Sequence, residues 1–154
     1  CRRLDGLGGG WGTGGKRTGA GEMLKLARRG LKIAVTEPEG AALLSGQEWK
    51  PHKIQGWTPD FVPEVLNREV AHAIEPVDDV LARDTARRLA TEEGLFVGLS
   101  SGATLAAALK VAHTAAQGSV LLAMLPDTGE RYFSTPLFEG VNEGSDDDWL
   151  ASLD

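Results

Sequence analysis

The sequence has almost no cysteine, no long apolar run and no surplus of basic residues. Its single cysteine, Cys1, excludes an internal disulfide bond and a zinc site built from cysteines. The longest purely apolar run covers residues 120–125, whereas a membrane helix needs roughly 20 apolar residues. Because no apolar segment follows the charges at the start, we also expect no signal peptide. These absences predict a cytoplasmic protein without a membrane span.

The charge is unevenly distributed along the chain. The formal net charge is −6, and residues 139–154 hold six acidic and no basic residues, so residues 1–138 are neutral overall. A neutral body with an acidic end does not match the basic surface that nucleic acid or an anionic membrane requires. The three histidines lack the spacing of metal ligands. We therefore expect no metal, one domain at 1–138 and an acidic tail at 139–154.

Apolar segments alternate with helical periodicity along the chain. Four apolar segments predict strands, at residues 31–35, 70–74, 95–98 and 119–125. Helices are predicted after an early glycine cluster, from Asp78 or Asp79 to a stop at Gly94, and over residues 103–116. The first helix has one apolar face, formed by Ala20, Met23, Leu24 and Ala27. Such alternation indicates an α/β fold with a parallel sheet that is covered on both faces.

Glycine is concentrated near the start of the chain. Of the 20 glycines, nine fall between Gly6 and Gly21. Residues 10–16, Gly-Trp-Gly-Thr-Gly-Gly-Lys, immediately precede the first predicted helix. Free backbone N–H groups and the positive end of the helix dipole predict an anion site there. A mobile glycine-rich terminus is the alternative interpretation, and residues 1–9, neither β-branched nor apolar, predict no strand.

Three phosphate-bearing ligands match this loop to different degrees. Gly10, Gly12 and Gly15 fit the dinucleotide pattern G-x-G-x-x-G, and Glu37 stands where a ribose-binding acid is expected. The nucleotide pattern G-x-x-x-x-G-K-[ST] fails at Arg17, which has no hydroxyl for magnesium. The third ligand, pyridoxal phosphate, needs only an amide cradle and hydroxyl groups.

Four motifs in one order carry a family resemblance. They are Gly-Thr-Gly-Gly at 12–15, His-Lys-Ile-Gln-Gly at 52–56, Gly-Leu-Ser-Ser-Gly-Ala at 98–103 and Leu-Pro-Asp-Thr-Gly-Glu-Arg-Tyr at 125–132. Together they resemble the second half of cysteine synthase (O-acetylserine sulfhydrylase), a fold-type II pyridoxal-phosphate enzyme. The resemblance implies a three-layer αβα architecture of the tryptophan synthase β type, with pyridoxal 5′-phosphate as cofactor.

The resemblance also implies roles for individual residues. Four loop residues would cradle the cofactor phosphate, namely Gly12, Thr13, Gly14 and Gly15. Lys16 stands where the family has a threonine, so an ammonium replaces a hydroxyl donor. Ser100 would hydrogen-bond the pyridine nitrogen, and Gly56 would border the substrate. From the residues alone, Ser100 or Ser101 could instead cap the helix that follows.

The implied reaction converts O-acetyl-L-serine and sulfide to L-cysteine and acetate. In the family, the lysine that forms a Schiff base with the cofactor precedes the glycine loop. No residue here resembles it, which predicts a truncated chain without a catalytic residue, inactive alone. The resemblance implies two partners, since full-length relatives are typically homodimers and can dock the C-terminal tail of serine acetyltransferase. The alternatives are a cystathionine β-synthase-like enzyme, an NAD-type dinucleotide-binding domain, or a non-catalytic remnant.

Overall fold

The computed structural model describes residues 4–141 and 144–153. Its centre is a four-stranded parallel sheet in the order β3-β2-β1-β4. The strands are β1 (Gly6–Gly10), β2 (Lys32–Pro38), β3 (Ala73–Val77) and β4 (Leu121–Ala123). The helices are α1 (Gly15–Ala27), α2 (Asp79–Glu93), α3 (Leu99–Thr114) and α4 (Asp146–Ala151). The predicted α/β fold with a parallel sheet is confirmed.

Helices cover both faces of the sheet because side chains alternate along each strand. On one face, Leu7 of β1 and Ile33 of β2 form a buried cluster with Leu31 and Val70, against which Leu24 of α1 packs. On the other face, a Cβ at Gly8 would lie 3.8 Å from the Cβ of Ala108 in α3. The result is a three-layer αβα arrangement.

The absence of a strand before residue 10 was predicted wrongly. Gly6–Gly10 forms β1, which pairs with β2 on one side and β4 on the other. Backbone pairing needs no side chain, and two of these glycines are required by close packing. A Cβ at Gly9 would lie 1.3 Å from a terminal nitrogen of Arg17, and one at Gly10 would lie 1.9 Å from the ring of Trp57.

Other strand predictions differ in position or length. The strand predicted at 70–74 begins at Ala73, because residues 68–70 form a 3-10 turn in which the Asn67 side chain accepts a hydrogen bond from Glu69 N. Residues 95–98 form no strand; Val97 makes only one antiparallel bridge, to Thr128. The strand predicted at 119–125 is reduced to Leu121–Ala123 at the sheet edge.

The helices α2 and α3 form the larger part of the core. Asp78 caps α2, accepting a hydrogen bond from Leu81 N at 2.8 Å. Gly94 ends the helix in the left-handed conformation, with φ of 67°. The backbones of α2 and α3 approach closely, since a Cβ at Gly102 would lie 2.1 Å from the carbonyl oxygen of Ala82.

The apolar face predicted for α1 is largely wrong. Met23 is 65% exposed and Ala20 and Ala27 are also exposed, whereas the buried residues of this helix are Arg17 and Gly21. A glycine is needed at position 21, because a Cβ there would lie 2.5 Å from the side chain of Val70. No helix among the described residues is long and apolar enough to cross a membrane. The division of the chain at residue 139 stays a prediction.

Candidate cofactor site

The loop between β1 and α1 presents free backbone donors. Gly14 is the N-cap of α1 and has φ of 81°, which only glycine adopts without strain. Within the described part of the chain, no acceptor receives a hydrogen bond from the N–H groups of residues 12–16. The Thr13 side chain is exposed beside them. Free N–H groups at a helix N-terminus, with its positive dipole end, form an anion site.

Residues 56–58 pack against the loop and fix its position. Trp11 is buried, and its carbonyl accepts a hydrogen bond from Thr58 N at 2.9 Å. A Cβ at Gly12 would lie 2.6 Å from the carbonyl oxygen of Gly56. Thr58 has φ of 39°, and its carbonyl accepts a hydrogen bond from Trp49 Nε1 at 2.9 Å. The motif at 52–56 and the residues after it therefore support the loop.

One cavity of about 570 Å³ joins most of the residues that the sequence singled out. Its lining includes Gly12, Thr13, Gly14, Lys16, Gly56 and Ser100. Gly15 is not part of this lining but begins α1 directly beside it. Gly12 and Ser100, which are almost 90 positions apart, meet because α3 packs against β1 and begins near the end of that strand. Ligands of parallel α/β sheets bind at the carboxyl ends of the strands.

A half-buried carboxylate, that of Asp127, lines the same cavity together with Ser100 and Tyr132. Ser100, 4% exposed in the first turn of α3, lies with its Oγ 3.3 Å from Asp127 Oδ1. Ser101 Oγ lies 3.2 Å from the same oxygen, and the Tyr132 hydroxyl donates to Asp127 Oδ2. Burial, together with this hydrogen bond, raises the pKa of Tyr132 to about 12. Gly98 allows the approach, since a Cβ there would lie 2.4 Å from the Tyr132 ring.

The structure excludes the capping alternative for the two serines. Gly98 is the N-cap of α3, and no side chain makes a capping hydrogen bond there. Ser100 is instead a buried hydroxyl that faces a carboxylate at the cavity. On the next turn, Thr104 lines the same cavity, and its buried Oγ1 has no hydrogen-bond partner.

Three functional candidates were missed from the sequence. Asp127 and Tyr132 lie in the motif at 125–132 but received no role from the sequence, and Thr104 lies in no motif. The signal for Asp127 was its place in the motif at 125–132, directly after an apolar strand. Its partners Ser100 and Ser101 could not be identified without the fold, because 26 or more residues separate them from Asp127.

Glu37 does not serve as the ribose-binding acid of a dinucleotide site. It is fully buried, and its carboxylate accepts hydrogen bonds from Leu44 N at 3.0 Å, Ser45 N at 3.1 Å and Ser45 Oγ at 2.5 Å. The acid therefore holds the loop after β2 and has no free oxygen to offer a ribose. The described residues also contain no cluster of three or more histidine, cysteine or acidic side chains that could hold a metal ion.

The fold and the loop define a class of protein. The chain belongs to the family of pyridoxal-phosphate-dependent enzymes, whose family model matches residues 2–127. Enzymes of this family use pyridoxal 5′-phosphate as cofactor. The resemblance inferred from the four motifs is thereby confirmed at the level of the family.

Two curated relatives narrow the class further. The chain is 58% identical over 153 residues to O-ureido-L-serine synthase of Streptomyces lavendulae, covering 99% of this chain and 47% of that protein. It is 41% identical over 137 residues to cysteine synthase of Staphylococcus aureus, covering 89% of this chain and 44% of that protein. The chain spans about half the length of these relatives. The shared class is pyridoxal-phosphate-dependent β-replacement.

Solved structures agree with this placement. The crystal structure of O-ureido-L-serine synthase matches with a TM-score of 0.90 at 58% identity, over 97% of this chain and 47% of that one. O-acetylserine sulfhydrylase isoform 3 from Entamoeba histolytica matches with a TM-score of 0.86 at 37% identity, over 98% and 45% of the two chains. The predicted fold of the tryptophan synthase β type is confirmed.

Proposed function

We propose that this chain forms the phosphate- and ring-binding half of a pyridoxal-phosphate β-replacement site. The observation that carries the proposal is the shared cavity of the free loop amides and the buried Ser100. An anion cradle and a hydroxyl on one cavity lining match a ligand with a phosphate at one end and a heterocyclic nitrogen at the other. Thr104 adds a buried hydroxyl without a partner on the same lining.

Each residue has a distinct role in this proposal. The N–H groups of Gly12, Thr13, Gly14 and Gly15 hold the phosphate. The hydroxyl of Thr13 adds a donor, and Lys16, exposed in the first turn of α1, adds a mobile positive charge at the rim. Ser100 hydrogen-bonds the pyridine nitrogen. When bound, the cofactor draws electrons from the substrate Cα, so that a group at Cβ can be exchanged.

The substrate in this proposal is an L-serine activated on its side-chain oxygen. Its Cβ–O bond to the leaving group breaks and a new bond to a nucleophile forms at Cβ. The identity of 58% over nearly the whole chain favours O-ureido-L-serine as product, with a Cβ–O bond to a hydroxyurea-type nucleophile. The second candidate is cysteine synthase, with O-acetyl-L-serine, sulfide and a Cβ–S bond, favoured by the 41% identical relative.

Gly56 would border the substrate. It lines the cavity next to Trp57, whose ring lies over the end of β1 at Gly10. A cytoplasmic homodimer that binds serine acetyltransferase belongs to the same proposal, on the family resemblance alone. Size-exclusion chromatography with and without the C-terminal peptide of serine acetyltransferase tests both associations.

The choice of ligand is tested by titrating the chain with pyridoxal phosphate and, separately, with NAD. Trp11 and Trp57 both line the cavity, so their fluorescence reports occupancy. We expect pyridoxal phosphate to quench this fluorescence and NAD to have no effect. No lysine precedes the loop in this sequence, so we expect binding to be reversible, without the absorbance band of a lysine-linked cofactor. Quenching by NAD alone would contradict the proposal.

The ring contact is tested with Ser100→Ala. Loss of one hydrogen bond is expected to weaken pyridoxal phosphate binding by about threefold to tenfold. Ser134, exposed on the surface, offers the control variant Ser134→Ala. Equal affinities of the two variants for pyridoxal phosphate would show that Ser100 does not contact the cofactor. The product is tested with a full-length enzyme that contains these residues. It is given O-acetyl-L-serine with equal amounts of sulfide and hydroxyurea, acetate leaves, and mass spectrometry identifies the amino acid formed.

A further inference from the structure

Arg17 is a buried cation without an acidic partner. It lies in the first turn of α1 and is only 8% exposed. Its Nε lies 3.4 Å from the carbonyl oxygen of Gly10. Among residues 4–141 and 144–153, no carboxylate forms an ion pair with it, and its terminal nitrogens donate no hydrogen bond. Burial lowers the pKa of Arg17 to about 10, so the guanidinium stays charged near pH 7.

The guanidinium contacts the backbone at the end of β1, where the glycine loop begins. It rests on Gly9 of β1, where a Cβ would lie 1.3 Å from one terminal nitrogen. It also lines the same cavity as Gly12, Thr13 and Lys16. Helical side chains slant toward the helix N-terminus, which brings Arg17 back toward the loop amides. Only the absence of a side chain at Gly9 makes room for it.

A buried charge without a counterion is costly, and proteins normally pair such a group or leave it in water. The described residues supply no anion for Arg17. The ligand proposed for this cavity does, because a phosphate monoester carries between one and two negative charges near pH 7. The N-terminus of the same helix supplies a second positive potential at the same place.

We infer that Arg17 supplies the buried countercharge for the phosphate group of the cofactor. This inference rests on the proposed function. The family resemblance assigns the phosphate to loop amides and hydroxyls, and it gives position 17 no role. Lys16 is exposed and flexible, so it contributes a point charge at the rim, whereas Arg17 is held by Gly9 and Gly10.

The test compares Arg17→Met with the control variant Arg29→Met. Arg29 is exposed and lies just beyond the C-terminal end of α1. Two ligands are titrated, pyridoxal phosphate and pyridoxal, which lacks the phosphate. We expect Arg17→Met to weaken binding of pyridoxal phosphate by about tenfold or more and to leave pyridoxal binding unchanged. We also expect the melting temperature of the ligand-free chain to hold or rise, since an unpaired buried charge is replaced by an apolar side chain. Arg29→Met should change none of these values.

A lower melting temperature with an unchanged preference for pyridoxal phosphate over pyridoxal would overturn the inference and leave Arg17 a structural residue. If Arg17→Met does not fold, the test uses the wild-type chain. The rate at which phenylglyoxal modifies Arg17 is then measured with and without inorganic phosphate. Phosphate should slow this modification, and an equal rate refutes the inference. A further outcome is that the wild-type chain fails to bind pyridoxal phosphate while inorganic phosphate still slows the modification of Arg17. That result would refute the proposed function but support the contact between Arg17 and phosphate.

Discussion

The close contact between Gly12 and Gly56 makes Gly12→Ala a sharp perturbation of the proposed phosphate cradle. The new Cβ would lie 2.6 Å from the Gly56 carbonyl oxygen, a backbone atom that no rotamer change can move. The turn that carries Gly56 is held by the 2.9 Å hydrogen bond from Thr58 N to Trp11 O. One of the two segments must therefore shift, and the loop amides shift with it.

The cost follows from this geometry. Forcing one methyl group into a packed site costs about 1–3 kcal/mol of unfolding free energy. For a chain of this size each kcal/mol lowers the melting temperature by about 2–4 °C. Each loop amide that loses its bond to phosphate costs roughly another 1 kcal/mol of binding, or about fivefold in affinity.

Gly19 provides the matched control. It lies in α1, the helix that follows the loop, and a Cβ there would meet nothing within 4 Å. Gly19→Ala should raise the unfolding free energy by about 0.5–1 kcal/mol, because alanine favours the helix. Urea denaturation and a pyridoxal phosphate titration of both variants measure the difference. If Gly12→Ala matches Gly19→Ala in both stability and affinity, the loop is not held as described and the reasoning fails.

Two further predictions concern the supports around the site. Glu37→Gln should lower the unfolding free energy by about 2–4 kcal/mol, because the Leu44 and Ser45 donors lose a charged acceptor. Urea denaturation measures this change. An unchanged unfolding free energy would contradict the structural role and make Glu37 a candidate ligand-binding residue again. The pKa of Tyr132 is raised to about 12, so its contribution to stability is complete below pH 10 and falls as pH rises from about 10 to 12. Tyr132→Phe should remove that component of the alkaline loss in thermal unfolding, and an unchanged pH profile would contradict it.

The parts of the fold predicted best were those with strong local signals. Asp78 and Gly94 mark both ends of α2 by their side-chain and backbone chemistry, and the structure has the helix between them. The motifs at 12–15 and 98–103 were placed correctly at helix starts. Their meeting in one cavity was not predicted from a sheet strand before α3, because residues 95–98 form none; it follows from the packing of α3 against β1.

The misses have physical causes. Gly6–Gly10 has no strand propensity, yet it pairs with a strand on each side in the sheet. Its glycines are also needed because Arg17 and Trp57 pack closely against Gly9 and Gly10. Periodicity placed Met23 in the core, but contact with Val70 selects the Gly21 side of α1. Such outcomes depend on tertiary packing, which overrides local preference. From the sequence, Arg17 was considered only because it has no hydroxyl group for magnesium. Its burial could not be predicted, because arginine side chains are mostly exposed.

The most direct test is a crystal structure of this chain with pyridoxal phosphate. Our account places the phosphate within hydrogen-bond distance of the N–H groups of residues 12–15, and the pyridine nitrogen against Ser100 Oγ. A phosphate bound away from those amides, or a ring that does not reach Ser100, would contradict it.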